Sequence, residues 1–318
     1  MTNSIDRLFS RKKEITESLN RLSKNIISHY VDYKLMSKKT IHELNTKNGQ
    51  FHNNIVGAFT LSTCLRQEIY SFGSQKSIDD ENYYACLSGK LALRRLITMA
   101  CGLHSEIIGE KEIFLQLGNS MLFAYNQSLI SKTLCKDLLN ILYIADELRK
   151  KFSIQTDENY STVGVSLMAS LTNSNSTLCI IGSGYMAQVF IKNLKSIEYK
   201  KIIWISRDVD RLKKIIGLTN IDKNKVVYVE AKGAIKYIQE ADLIFAATNN
   251  TDTPYHNKLF PKAKAIIDVS YPSLFSEGCN SNFISIQNTF FEKLINKPVD
   301  KTSILEVEKA IDELLKIV

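Results

Sequence analysis

The stretch "TLCIIGSGYMAQVFIKNL", residues 177–194, constrains the fold of this chain more than any other. An apolar run leads into Gly182, Gly184 and Ala187 in a GxGxxA arrangement, and an amphipathic segment follows. In such a turn the first glycine permits a tight bend, the second lets a pyrophosphate approach the backbone, and the alanine lets a helix pack closely on the strand. The motif predicts a phosphate-binding turn with a helix N-terminus facing the anion. The alternative is a glycine turn that binds no ligand.

The second half of the chain alternates short apolar runs with amphipathic segments of helix length. The runs are "TLCIIGSG", "KIIWISR", "KVVYVE", "DLIFAATN" and "AIIDVS". This alternation predicts a doubly wound parallel sheet with helices on both faces. NAD-binding sheets usually end their second strand in an acid, whereas "KIIWIS" ends at Ser206 and Arg207, with Arg211 following. A cation there accommodates a 2′-phosphate, so we expect NADP(H), unless Arg207 is only a solvated surface residue.

The first half has a different pattern. All four prolines come after residue 250, so long helices are possible before it. Apolar periodicity predicts helices over 5–30 and 83–151, and "NNIVGAFTLST" predicts a strand that ends near Cys64. The pattern of the tail, about residues 290–318, predicts one or two helices, and we expect no further part of the chain for them to pack on. We therefore expect an α/β chain of three parts: an N-terminal α+β domain, a Rossmann-type domain and a short C-terminal helical stub, at 1–156, 157–289 and 290–318.

Composition limits the class of protein. A chain of 318 residues is long enough for two domains with their own cores. It has no run of about 18 apolar residues and no apolar region near the N-terminus, so we expect a cytoplasmic protein with no membrane association. The six cysteines show neither a CxxC pair nor metal-ligand spacing, which predicts reduced thiols and no metal site. The net charge of +8 has the sign expected of a partner for a polyanion, although lysine-rich surfaces are often only solvated.

One cysteine lies among charged residues. In "LSTCLRQEIY", residues 61–70, Cys64 follows an apolar run and precedes Arg66 and Glu68. A thiolate is a nucleophile, and a nearby guanidinium both lowers a thiol pKa and can hold a carboxylate in bidentate fashion. A thiol beside a hydride-donor domain therefore indicates covalent catalysis on an acyl group. The alternative is a buried structural cysteine.

Several segments resemble one family in order and approximate spacing. "STCLRQEIY" is similar to the STCNRxE signature of glutamyl-tRNA reductases, and "GLHSEIIGEKEIFLQL" to their GL-x-S-x-x-x-GE-P-Q-I-x-x-Q segment. "ELRKKFSIQT", "GSGYMA", "SRDVDRL" and "AIIDVSYP" also follow the family. The resemblance implies NADPH-dependent reduction of glutamyl-tRNA(Glu) to glutamate-1-semialdehyde through a cysteine thioester, the first committed step of tetrapyrrole (porphyrin, haem) biosynthesis. It also implies a glutamate-1-semialdehyde aminomutase as a partner that receives the aldehyde.

Site residues follow from the matched motifs. The resemblance implies that Cys64 is the nucleophile and that Arg66 holds the glutamate carboxylate. It implies a glutamyl site lined by Thr63, Cys64, Leu65, Arg66, Ser105, Glu110, Lys111, Glu112 and Gln116. It implies an NADP(H) site formed by Gly182, Ser183, Gly184, Tyr185, Met186, Ala187, Ser206 and Arg207.

The chain departs from the family pattern at four places. Leu65 replaces the family's asparagine, and Lys111–Glu112 replaces Pro-Gln, which puts an acid where an amide is usual. Arg95 stands where the family has a histidine; arginine is always protonated and is no general base, but it could favour the thiolate, and His104 is the alternative titrating group. The fourth departure is the short stub in place of a C-terminal dimerisation domain, which leaves the homodimer and part of the tRNA contact open.

Two other functions compete with the reductase. A non-catalytic paralogue that binds tRNA or a haem-pathway partner is favoured by Arg95, the GEKE variant and the short tail, and opposed by Cys64, Arg66 and the intact glycine turn. A shikimate-type NADP dehydrogenase would need a Lys–Asp catalytic pair, which nothing in the first half singles out.

Overall fold

The chain forms two compact units, residues 1–157 with 297–318 and residues 158–296. The computed structural model describes residues 11–37, 40–41, 44, 55–73, 84–248, 255, 259–260, 262–286, 291–295 and 298–318. Residues 5–10 of the first predicted helix, residues 53–54 of the predicted strand, and Tyr83 therefore lie outside the described residues.

The first unit is an α+β structure. Its strands pair antiparallel in the order β2-β3-β1-β4. The helices are α1 (Lys12–Asn25), α2 (Gly89–Ala100), α3 (Lys111–Asn126), α4 (Lys132–Lys151) and α9 (Lys301–Lys316), and the strands are β1 (Ile26–Asp32), β2 (Ala58–Thr63), β3 (Arg66–Phe72) and β4 (Ala85–Ser88).

Both helical predictions for the first half are wrong at one end. The helix predicted over 5–30 ends at Asn25, and β1 begins at the next residue. The helical region predicted from residue 83 begins instead with the strand β4, and its first helix starts at Gly89. Pairing with both β3 and β4 satisfies the backbone of β1, whose β-branched Ile26, Ile27 and Val31 favour a strand.

The prediction that the tail has nothing to pack on is also wrong. Val307 and Ile311 of α9 are fully buried in the same core as Leu96 of α2. Burial of this apolar face gives the helix its packing surface.

The second unit contains a six-stranded parallel sheet in the order β10-β9-β8-β5-β6-β7. This is the doubly wound order of dinucleotide-binding domains, with the switch in strand order between β5 and β8. The strands are β5 (Thr177–Ile181), β6 (Lys201–Ser206), β7 (Val226–Glu230), β8 (Leu243–Ala246), β9 (Ala265–Asp268) and β10 (Phe283–Ser285), and the helices are α5 (Tyr160–Ala169), α6 (Tyr185–Asn193), α7 (Val209–Ile216) and α8 (Ile235–Gln239).

The predicted α/β class and the five predicted strands of the second half are confirmed. Strand β10 was not predicted, because three residues are too few to show a periodicity. Across the described ranges, every helix is too short or too polar to cross a bilayer.

Candidate active site

Cys64 lies at the tip of a tight hairpin. Thr63 of β2 pairs with Arg66 of β3, which leaves Cys64 and Leu65 as the two turn residues. The turn is fixed from both sides, because Leu65 N–H donates to Oγ1 of Thr63 (3.2 Å) and Tyr33 N–H donates to the Leu65 carbonyl (3.0 Å). Leu65 is buried and Cys64 is partly exposed. The hairpin thus presents the thiol on a rigid support.

The buried cysteines are poor nucleophiles by comparison. None of the six cysteines, all of which lie within the described residues, is in a disulfide. Burial raises the pKa of Cys101 to about 12 and that of Cys279 to about 11, and it also raises the pKa of Cys135 and Cys179. Burial disfavours a thiolate, so these four are suited to packing.

Arg66 connects the cysteine hairpin to the loop at 101–110. Its side chain is only 2% exposed. Nη2 donates to the backbone oxygen of His104 (2.6 Å), and Nη1 donates to Sδ of Met99 (2.9 Å). The Glu68 carboxylate lies 3.8 Å from Nη1. The guanidinium therefore fixes the distance between the thiol turn and the loop, and it brings positive charge to both.

Arg95 belongs to a buried network of charges beneath the hairpin. Its guanidinium bonds to both oxygens of Glu68 (2.7 and 3.2 Å) and to Asp32 (3.1 Å), and it lies 3.3 Å from the centre of the Tyr30 ring. Burial raises the pKa of Asp32, but the hydrogen bond and charge of Arg95 outweigh burial and lower it. Two carboxylates thus balance Arg66 and Arg95. Motif reasoning noted Glu68 as a sequence neighbour of Cys64 but did not find Asp32, because only the folded chain brings both carboxylates to Arg95.

His104 is not a titrating group near neutral pH. Burial, followed by the charges of Arg95 and Arg66, lowers the pKa of its imidazole to about 3. Nε2 lies 2.8 Å from Oγ1 of Thr98. The ring is therefore neutral at physiological pH and holds the loop by a hydrogen bond.

Arg149 holds the loop from the other side. This α4 residue is 2% exposed and donates to the carbonyls of Cys101 (3.1 Å), Gly109 (2.8 Å) and Glu110 (3.2 Å). Gly109 has φ +81, and a Cβ there would lie 1.8 Å from the Ile154 carbonyl oxygen. The loop backbone needs glycine at this position and is held by a buried cation.

Two polar atoms of the loop are buried without a hydrogen-bond partner, Oγ of Ser105 and Oε2 of Glu110. Leaving such a group unpaired costs about 1–3 kcal/mol, and such atoms are commonly found at ligand sites. Burial, followed by the charge of Glu112, raises the pKa of Glu110 to about 7, although the nearby Ser105 hydroxyl and Arg66 oppose the shift. Glu112 is itself only 7% exposed.

The remaining predicted glutamyl-site residues lie around these atoms or on the surface. Lys111 begins α3 and pairs with Asp157 while half exposed. Gln116 is exposed on α3, and Thr63 is partly exposed beside Cys64. Ser105, Glu110 and Glu112 are therefore buried together, whereas Lys111 and Gln116 are not part of the buried group.

The glycine turn in the second unit has the geometry that the sequence predicts. Gly182 has φ +114, and a Cβ there would lie 2.1 Å from the carbonyl oxygen of Ala247, which follows β8. Gly182 N–H donates to Ile205 (2.9 Å), and its carbonyl accepts from Nε1 of Trp204 (2.8 Å). Only glycine fits here. The turn lies at the switch between β5 and β8, where dinucleotides bind in such sheets.

The residues that follow leave room for a phosphate. Gly184 is the N-cap of α6 and has no side chain to cap it, and a Cβ at this position would meet no atom within 4 Å. Ala187 is fully buried, whereas Tyr185 is exposed and Met186 partly exposed. Backbone N–H groups at such a helix start suit an anion. A pyrophosphate fits at the glycine turn and the N-terminus of α6.

The end of β6 suits an adenosine ribose that carries a phosphate. Oγ of Ser206 donates to Oγ of Ser183 (3.2 Å), which joins the glycine turn to the second strand. Arg207 follows and is exposed. The next acid along the chain, Asp208, accepts from Arg211 N–H (2.9 Å) as the N-cap of α7, and Glu230 of β7 pairs with Ser206 in the sheet. No acid terminates the strand, and the residues fit NADP(H).

The fold and these two sites define a class: a two-unit α/β protein in which one unit presents a cysteine on an antiparallel hairpin and the other is a doubly wound nucleotide-binding domain. Within the ranges that the structure describes, no three His, Cys, Asp or Glu side chains are grouped to hold a metal ion.

Comparison with known proteins agrees with this class. Residues 28–152 match the family model described as Glutamyl-tRNAGlu reductase, N-terminal domain, and residues 166–280 match Shikimate / quinate 5-dehydrogenase. A glutamyl-tRNA reductase of Methanocaldococcus jannaschii is 28% identical over 76% of this chain and 63% of its own length. One from Francisella philomiragia is 24% identical over 69% of this chain and 57% of its own. A solved glutamyl-tRNA reductase from Methanopyrus kandleri aligns with 92% of this chain and 79% of its own, with 19% identity and a TM-score of 0.43.

The first unit is therefore similar to the N-terminal domain of glutamyl-tRNA reductases, and the second unit is similar to shikimate / quinate 5-dehydrogenases. The chain spans about three-fifths of the length of the curated relatives that it matches.

Proposed function

We propose that this chain reduces glutamyl-tRNA(Glu) to glutamate-1-semialdehyde with NADPH, through a thioester on Cys64. The observation that carries the proposal is the Cys64 hairpin: a partly exposed thiol two residues from a buried guanidinium, which is bonded to a loop with two unpartnered buried polar atoms. Similarity to glutamyl-tRNA reductases supports a glutamyl group as the acyl group.

Each residue has a role in this proposal. The Cys64 sulfur attacks the ester carbonyl of the substrate, and the tRNA 3′-terminal ribose oxygen leaves. Arg66 holds the glutamyl carboxylate and favours the thiolate by its charge. The glutamyl group is surrounded by neutral donors and by the loop at 101–110.

Arg95 acts as a positioning residue in this proposal. Its charge is already balanced by Glu68 and Asp32, and it is only 7% exposed. It fixes Glu68, which in turn contacts Arg66. Neither Arg95 nor the neutral His104 serves as the general base.

The second unit binds the nucleotide. We propose that residues 182–187 hold the pyrophosphate and that Ser206 and Arg207 hold the 2′-phosphate of NADPH. When bound, NADPH supplies the hydride that reduces the thioester. The chain's own residues orient the nucleotide and discriminate against NADH.

The resemblance supports further proposals about organisation. Residues 1–156 would recognise glutamyl-tRNA and carry out catalysis, 157–289 would bind NADPH, and 290–318 would form a C-terminal helical segment. The aldehyde would pass to glutamate-1-semialdehyde aminomutase in the cytoplasm. Sedimentation of the purified chain alone and with the aminomutase tests both a homodimer and this complex.

The activity is tested by incubating the protein with glutamyl-tRNA and NADPH and measuring glutamate-1-semialdehyde. We expect product from the natural protein, none from Cys64→Ser, and normal rates from Cys86→Ser, which changes an exposed thiol on β4. Nucleotide binding should survive both changes. Semialdehyde formation unchanged by Cys64→Ser would refute the nucleophile, and tRNA binding without any product would indicate a non-catalytic paralogue.

Nucleotide preference is tested by Arg207→Ala. We expect NADPH to bind at least tenfold more weakly and NADH to bind unchanged, because only NADPH carries the 2′-phosphate. Lys195→Ala is the control, since this exposed residue precedes β6 at the opposite end of the strand. Equal losses for both nucleotides would show that the 2′-phosphate lies elsewhere.

A further inference from the structure

Glu110 differs from every other acid of the first unit described above. It is 8% exposed, and its Oε2 atom has no hydrogen-bond partner. It is the N-cap residue of α3, yet its side chain makes no capping hydrogen bond. A carboxylate at a helix N-terminus normally accepts from the backbone there. This carboxyl is instead held away from the backbone donors that would stabilise its charge.

The groups around the Glu110 carboxyl come from four elements. Glu112 faces it from α3, Glu106 and Ser105 from the loop, Arg66 from β3, and Arg149 from α4. Burial and the two acids favour the protonated form, and burial outweighs Arg66, so the pKa rises to about 7. The Glu110 carboxyl therefore carries a proton over part of the neutral range.

The loop that carries this proton is bonded to the hairpin of Cys64 through Arg66. Arg149 fixes the backbone of Gly109 and Glu110, and Arg66 fixes that of His104. Arg66 is two residues from Cys64 and is close enough to Glu110 for its charge to lower the carboxyl pKa. The hairpin that carries the thiol and the loop that carries the acid are thus joined by the hydrogen bond from Arg66 to His104.

We propose that Glu110, with Glu112 as its acidic neighbour, is the proton donor to the oxygen that leaves when Cys64 is acylated. The inference rests on the proposed function. In the step, the Cys64 thiolate forms the S–C bond, the C–O bond to the tRNA ribose breaks, and the Glu110 proton moves to that oxygen. Glu110 becomes a carboxylate and regains a proton from solvent once the tRNA has left. No oxidant or reductant takes part in this half-reaction.

The half-reaction can be measured without nucleotide. Natural protein is mixed with glutamyl-tRNA alone, and release of deacylated tRNA with formation of the acyl-enzyme is followed from pH 5.5 to 9. The rate needs the Cys64 thiolate together with the protonated Glu110, whose pKa is about 7, so the profile should fall on its alkaline side once the thiolate has formed. Acylation of Glu110→Gln should be about 100-fold or more slower, and its rate should no longer decrease as the pH rises.

Glu112→Gln tests the coupling in a protein that keeps its donor. Removal of the neighbouring charge lowers the Glu110 pKa, so the fall should move to lower pH; the pH at which the rate falls, and not the absolute rate, is the quantity compared. Glu147→Gln, a change on the exposed surface of α4, is the control and should leave the profile in place. An unmoved profile in Glu112→Gln, or an undiminished rate in Glu110→Gln, would overturn the proposal.

A second readout does not depend on turnover. Infrared titration of the natural protein should show a protonated carboxyl band that disappears through the neutral range and is missing in Glu110→Gln. Absence of the band in the natural protein would refute the proton-donor role and leave the proposed function standing. Presence of the band with no acyl-enzyme at any pH would refute the proposed function, and the donor role with it.

Discussion

Nη2 of Arg66 donates a hydrogen bond of 2.6 Å to the backbone oxygen of His104, and this bond joins the hairpin of Cys64 to the loop of Ser105 and Glu110. The guanidinium is almost completely buried and is shared with Met99 and Glu68. Its planar set of donors reaches several acceptors at once, which a lysine ammonium on a flexible stem does not match.

We predict that Arg66→Lys lowers kcat/KM for glutamyl-tRNA by about 10- to 100-fold, because a hydrogen bond to a charged group contributes about 1.5–3 kcal/mol. Nucleotide affinity, measured by fluorescence titration, should not change. Arg94→Lys is the matched control, since Arg94 bonds to Asp312 on the surface of the same unit. An unchanged kcat/KM in Arg66→Lys would mean that the hydrogen bond between Arg66 and His104 has no role in catalysis.

The buried charge network predicts a stability effect. Arg95→Gln leaves Asp32 and Glu68 without their main cation and should lower the free energy of unfolding by about 3–5 kcal/mol. The double variant Arg95→Gln/Asp32→Asn should lose less free energy of unfolding than the sum of the two single variants, because Asp32→Asn removes a charge that Arg95→Gln leaves unpaired. Urea unfolding of the natural protein, the two single variants and the double variant measures this double-mutant cycle.

The matching surface cycle uses Arg94→Gln and Asp312→Asn, which break an exposed pair. It should show a coupling of about 0–1 kcal/mol. Equal coupling in the buried and the surface cycles would contradict the assignment of Arg95 to a buried network.

The parts of this site that could be predicted are those whose residues are contiguous in sequence. The strand–glycine–helix pattern at 177–194 and the run at 61–70 are contiguous, so their roles follow from neighbours in sequence. The pairing of Arg95 on helix α2 with Asp32 on strand β1 joins residues that are 63 positions apart in the chain. Long-range pairing leaves no periodic signal, and the apolar face of α9 does not by itself show that the helix packs in the core of the first unit.

The strand β1 shows a second limit. Ile26, Ile27, Tyr30 and Val31 satisfy a helical spacing as well as a strand, and the preceding residues form a helix. The β-branched side chains favour the strand, but two flanking partners decide it. The charge state of Glu110 likewise depends on burial, which its sequence position does not show.

The glycine turn predicts different outcomes for its two glycines. Gly182→Ala places a Cβ against the Ala247 carbonyl at a positive φ, so it should destabilise the second unit by at least about 1–3 kcal/mol. Gly184→Ala meets no atom within 4 Å and should fold normally, yet its methyl group enters the space for a phosphate and should weaken NADPH binding.

Thermal melting and NADPH titration of the two variants separate these effects. Normal stability in Gly182→Ala would contradict the close approach of the two backbones. Normal nucleotide affinity in a folded Gly184→Ala would contradict the position of the phosphate.

The low pKa of His104 predicts that this residue makes the free energy of unfolding fall at acid pH. Burial, followed by Arg95 and Arg66, lowers its pKa from 6.5 to about 3, so the unfolded chain binds this proton first as the pH falls. Stability from this group is complete above pH 6.5 and declines between pH 6.5 and 3, by at most about 1.4 kcal/mol per pH unit.

In His104→Gln, the free energy of unfolding should therefore fall less steeply across the same interval, while the amide still reaches Thr98. Urea unfolding at a series of pH values measures both profiles. Parallel profiles for the two proteins would show that His104 is not buried in its neutral form.

The central claim is that the sulfur of Cys64 captures the glutamyl group, and acyl-enzyme trapping tests it most directly. The protein is mixed with glutamyl-tRNA without nucleotide, quenched in acid, digested and examined by mass spectrometry. We predict one hydroxylamine-labile glutamyl adduct, on Cys64, which disappears when NADPH is added before the quench. Semialdehyde formation with the adduct on another residue, or with no adduct on Cys64 at any time, would contradict the account.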